Sequence, residues 1–98
     1  MKKIYLSATL ALLFFITGIK GQIGIGIPTP DASAMLDVSS TSKGLLVPRI
    51  ALAGTDDNIT IASPQTSLLV YNTAAAGSGA KAVTPGYYYW NGSAWERL

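Results

Sequence analysis

Apolar positions in this chain come mostly as short alternations rather than helical stripes. Ile23, Ile25 and Ile27 alternate with Gly24 and Gly26. That period of two puts the isoleucines on one face of an extended strand and leaves the other face bare. A bare face lets another backbone lie close. Pro28 and Pro30 then stop pairing, because proline has no N–H to donate. Asp31 and Ser33 suit a turn or the cap of one helical turn. Met35–Val38 predicts a second strand. Leu45–Ile50 predicts a third, held to an edge or a strand end by Pro48. Ile59 and Ile61 around Thr60 predict a brief fourth, and Thr66–Thr73 the strongest of the middle. Tyr87–Trp90 and Trp95–Leu98 complete the set. Polar or small residues fill Ser39–Gly44, Ala51–Asn58 and Ala74–Gly86, and the last of these reads as a long hairpin loop. The expected fold is all-β: a small module of about seven short strands over residues 22–98, ending in an aromatic β-hairpin. No internal repeat and no dividing linker is visible in it.

The first 21 residues follow a different pattern. Lys2 and Lys3 precede an apolar run, Ile4–Ile16, interrupted only by Ser7 and Thr9; small residues follow at Gly18 and Gly21. This is the three-part arrangement of a cleaved signal peptide. The run is shorter than the roughly 20 residues a membrane-spanning helix needs, and Lys20 with the glycines closes it early. Cleavage is expected between Gly21 and Gln22, with Gly18 the second choice. The expected destination is outside the cell or on its surface, with no membrane span left once the leader is gone.

Cleavage also changes the charge. The remaining chain keeps Lys43, Arg49, Lys81 and Arg97 against Asp31, Asp37, Asp56, Asp57 and Glu96, a net charge of −1. No basic patch is left to hold nucleic acid or an anionic membrane. The chain has no His and no Cys, so disulfides, Ser–His triads and thiol chemistry are excluded, and a transition-metal site is not expected without its usual ligands. So small a domain buries only about 60% of its unfolded surface. Self-association or attachment to something larger is the remaining route to stability. No enzyme activity and no cofactor is expected.

Five of the nine aromatic residues fall between Tyr87 and Trp95. Asn91-Gly92 between them is a hairpin signal. A two-residue loop sets Trp90 opposite Ser93; a four-residue loop sets Trp90 opposite Trp95. Either register puts Tyr88, Trp90 and Trp95 on one face and Tyr87 and Tyr89 on the other. Two uses remain open. The rings can be core and cross-strand pairs. They can also be a platform for sugar rings or an interface for another chain.

Other motifs lose on context. The glycines of Gly21–Gly26 lack the strand before and the helix after that a phosphate loop needs. Asp56-Asp57-Asn58 lacks calcium-loop spacing and reads as a solvated turn. Lys43 and Lys81 are expected in wet loops. Asn58-Ile59-Thr60 and Asn91-Gly92-Ser93 match the glycosylation triplet, the second being already explained by the turn.

The order of motifs is more specific than any one of them. Ile-Gly-Ile-Gly is followed by Asp-Ala-Ser-Ala-Met-Leu-Asp-Val, Lys-Gly-Leu-Leu-Val-Pro-Arg, Leu-Val-Tyr-Asn-Thr and Tyr-Tyr-Trp-Asn-Gly-Ser-Ala-Trp. In this the chain, from Gln22 to Leu98, resembles an N-terminal β-rich module of secreted tail-fibre-like proteins of Bacteroidota. Some relatives end in an intramolecular chaperone domain related to that of endosialidase tail spikes. The resemblance implies an extracellular structural or adhesive module, trimeric in its fibres and without catalytic residues. The expected function is therefore a non-catalytic structural or adhesion module of a fibre-like assembly. Its expected partners are copies of itself or other surface proteins. The alternative is a small carbohydrate-binding module that takes a glycan on Tyr88, Trp90 and Trp95.

Overall fold

The computed structural model describes residues 21–98. The expected leader, apart from Gly21, lies outside the described residues. These residues are all-β, with six strands in two sheets, one isolated bridge and a single 3-10 turn. Two compact units divide between Gly44 and Leu45. Among the described residues no helix is long and apolar enough to cross a membrane.

The first unit holds β1 (Ile23–Ile25) and β2 (Leu36–Val38), paired in parallel as Ile23↔Leu36, Gly24↔Asp37 and Ile25↔Val38. The Ile23 N–H donates to the Met35 carbonyl at 2.7 Å, and the Ser39 N–H to the Ile25 carbonyl at 2.9 Å. Parallel strands need a crossover, and here it is an irregular loop tied down by polar groups. The Asp31 carboxylate accepts from the Ser33 N–H at 2.9 Å and its hydroxyl at 2.6 Å, the expected turn. The Gln22 amide donates to the Asp31, Ala32 and Ala34 carbonyls. The bare face of β1 is used as expected. A Cβ on Gly24 would come within 2.7 Å of Pro30 Cγ and 2.9 Å of the Ile27 carbonyl, and one on Gly26 would overlap the Ser39 carbonyl.

The second unit is a four-stranded sheet in the order β3 (Arg49–Ile50), β4 (Leu69–Asn72), β5 (Gly86–Trp90), β6 (Trp95–Arg97). β3 runs parallel to β4, and the other pairs are antiparallel. Pro48 limits β3 to two residues at the sheet edge, though its carbonyl still accepts from the Tyr71 N–H at 3.0 Å. The Ala74–Gly86 connection joins antiparallel neighbours, as a hairpin loop should. It is not slack: Ala76 bridges Val83, and Gly79–Lys81 makes the 3-10 turn.

The core lies on one face of this sheet, where Val70, Tyr88, Trp90 and Trp95 pack with Leu52 and Val83. Ile50 and Ile61 press against it from the margin. One expectation fails here. Ile59–Ile61 is a run of turns and not a strand. The carboxylate of Asp57 accepts the Ile59 and Thr60 N–H groups, each at 3.0 Å, which curls this stretch and removes those donors from any ladder.

Candidate functional site

The C-terminal hairpin takes the longer of its two registers. Trp90 pairs with Trp95, Tyr89 with Glu96 and Tyr88 with Arg97 across a loop of Asn91–Ala94. Asn91 sets that loop. Its side-chain oxygen accepts the Ser93 and Ala94 N–H groups at 2.9 Å each, and its backbone N–H donates to the Ala94 carbonyl at 3.0 Å. An Asn side chain mimicking a backbone turn widens the loop from two residues to four.

The strand alternation then sorts the aromatic residues. Tyr88, Trp90 and Trp95 are buried in the core. The two indoles meet edge to face, with centroids 5.3 Å apart. The Trp95 indole N–H donates to the Asp57 carbonyl at 2.6 Å. Arg97 lies over the Tyr88 ring, 5.7 Å from its centroid, and anchors to the Thr84 hydroxyl at 2.9 Å. Burial pushes the Tyr88 phenol up. The Thr84 N–H and the Arg97 guanidinium outweigh burial and hold it below the usual phenol range. Rings enclosed in this way have no open face to offer a sugar.

The other face of the sheet carries Tyr87 and Tyr89, with Leu69 and Tyr71 beside them in register. Tyr71 and Tyr87 meet edge to face at 5.1 Å. Tyr87 keeps 42% of its surface exposed and Leu69 40%. Hydrogen bonding to the Glu96 carboxylate raises the Tyr89 phenol above its usual value. Arg49 and Glu96 stand on the outer strands at the two sides of this face.

Two polar residues whose role the sequence pattern does not announce hold the second unit together. Asp57 was expected in a solvated turn. It is only 8% exposed and accepts from the Ala53, Ile59 and Thr60 N–H groups and, at 2.6 Å, the Thr60 hydroxyl. Burial acts to raise its carboxyl, yet the four hydrogen bonds dominate and hold it well below the usual carboxylate range. Asp56 stays outside, paired with Lys81 at 3.1 Å. Asn72 is fully enclosed with every polar atom used. It accepts from the Leu52 and Ala74 N–H groups and donates to the Ala74 and Thr84 carbonyls. Each had a signal. Asp57 and Thr60 make a side-chain turn pattern three residues apart, and Asn72 follows Val70 at the inward strand period.

The first unit has an uncovered face of its own. Ile23, Ile25, Leu36 and Val38 point the same way from the two strands and are all exposed. Ile25 and Val38 also line an open depression of about 430 Å³ with Ser39, Ser40 and Lys43. Among the described residues, no cluster of three acidic side chains could hold a metal ion.

The described residues make a small β module whose buried polar groups are bonded into its scaffold and whose apolar faces are left open. The family comparison is specific: the chain belongs to the phage tail-like trimerisation region family, whose model matches residues 24–98. That match spans both units and accords with self-association as a trimer. No curated protein and no solved structure matches the chain.

Proposed function

We propose that this chain is a secreted or surface-borne structural module that associates as a trimer within a fibre-like assembly and carries no catalysis of its own. The observation that carries this reading is the family match over residues 24–98, a region described by its trimerisation. The uncovered apolar faces support it, since contiguous exposed apolar surface marks a place where another chain sits. The signal-peptide pattern over 1–21 supports export. The motif order from Gln22 onward supports a place among tail-fibre-like proteins of Bacteroidota, and adhesion is the role such a fibre would serve.

The test is mass in solution. Sedimentation equilibrium of the exported protein, from micromolar to millimolar, should give three times the chain mass at its upper concentrations. A single-chain mass throughout that range overturns the reading. Mass spectrometry of the same material should find Gln22 as the first residue; an N-terminus still at Met1 would remove the export part.

A further inference from the structure

We infer that the trimer forms through the aliphatic face of the N-terminal strand pair, Ile23, Ile25, Leu36 and Val38, packed against the same face of two further copies. The inference rests on the trimeric reading above. It starts from a shortfall within the first unit. None of the residues from Gly21 to Gly44 is buried. Two strands of three residues are too few to be stable in water without a third partner or a covering layer. Yet the pair is well made, with bonds of 2.7 and 2.9 Å at its ends and Gly24 where its other face meets its own crossover loop.

The four aliphatic side chains are 41–58% exposed and lie on one face. The residues between them, Gly24 and Asp37, point to the opposite face. No charged side chain lies among the four aliphatic ones, so the strands themselves set no like charges against each other; Lys43, on the rim of the adjoining depression, can keep its ammonium in water at the end of its stem. The tyrosine face of the second unit differs. Arg49 and Glu96 lie on it, and that unit already has a core of its own. Nor is the aliphatic face flat. The depression edged by Ile25 and Val38 gives a neighbouring side chain somewhere to sit. A second copy is the occupant that brings the same aliphatic face, from a chain whose family is described by trimerisation.

The experiment separates assembly from folding. Both tryptophans of the chain, Trp90 and Trp95, belong to the second unit, so their near-ultraviolet circular dichroism reports that unit alone. Ile25→Asp and Leu36→Asp should each weaken association by at least about a hundredfold, since each sets a charge in a desolvated seam. They should sediment as monomers at concentrations where the wild type is a trimer, with the tryptophan signal unchanged. Tyr87→Ser should remain trimeric. A single Val38→Cys in this cysteine-free chain should give disulfide-linked dimers on mild oxidation, and Ser78→Cys, at an exposed position of the second unit, should not. Aspartate variants that stay trimeric, or a Val38→Cys chain that fails to cross-link, overturn the inference and leave the trimer standing. Loss of the trimer in Tyr87→Ser but not in Leu36→Asp moves the interface to the tyrosine face. A monomeric wild type overturns the trimeric reading itself.

Discussion

Asp57 shows how much one side chain can organise. Its carboxylate gathers four donors from Ala53, Ile59 and Thr60, while its carbonyl holds the Trp95 indole. Replacing the carboxylate leaves three backbone N–H groups without their partner. Asp57→Ala should therefore cost about 2–3 kcal/mol, read as a lower urea midpoint at pH 7. The pH dependence has a definite sign. The folded-state pKa is depressed, so this stabilisation is complete above the unfolded-state value of about 3.9 and fades as pH falls through the folded-state value. The gap in midpoint between wild type and Asp57→Asn should thus be widest at neutral pH and narrow with each step below about pH 4. A gap constant from pH 7 to 2 would show that the charge of Asp57 is not what its donors stabilise. Asn72 makes a complementary case. Asn72→Asp keeps the shape but turns an oxygen toward the Ala74 and Thr84 carbonyls that Nδ2 now serves. It should destabilise by about 3 kcal/mol or more, because buried groups are left unpaired.

At the scale of the element, the hairpin is set by Asn91. Asn91→Ala removes the acceptor for two loop N–H groups and should cost about 1 kcal/mol in thermal or urea unfolding. The same loop shows what sequence could and could not reveal. Period-two alternation correctly separated Tyr88, Trp90 and Trp95 from Tyr87 and Tyr89, because strand geometry leaves that no freedom. The two loop lengths stayed open because Asn-Gly favours a two-residue turn, and only the Asn side chain curling back onto Ser93 and Ala94 chooses four. Pro48 announced the edge position of β3, since a missing donor is a local property. Ile59 and Ile61 misled because alternation speaks only of side chains; the backbone donors of that stretch were already taken by Asp57. Asn72 went unnoticed for the opposite reason: its partners lie on Leu52, Ala74 and Thr84, two of them distant in sequence.

For the whole molecule, the two units have different means of staying folded. The second has buried indoles and a satisfied polar framework, so its stability is its own. The first, without a buried residue between Gly21 and Gly44, must draw stability from association if the strand pair is the trimer seam. A structure that exists only when bound gains stability with concentration, by mass action. Amide hydrogen exchange distinguishes the two directly. The Ile23 and Ser39 amides, which close the ends of the strand pair, should exchange slowly at millimolar chain and much faster at micromolar, as the trimer dissociates. The amides of Tyr71 and Trp90 in the four-stranded sheet should change far less over the same range. In Leu36→Asp the first pair should exchange fast at every concentration, with the second pair left as in the wild type. Protection of Ile23 and Ser39 that is independent of concentration and survives Leu36→Asp would mean the strand pair is stabilised within one chain, and the seam would have to be sought on the face of Leu69, Tyr71, Tyr87 and Tyr89.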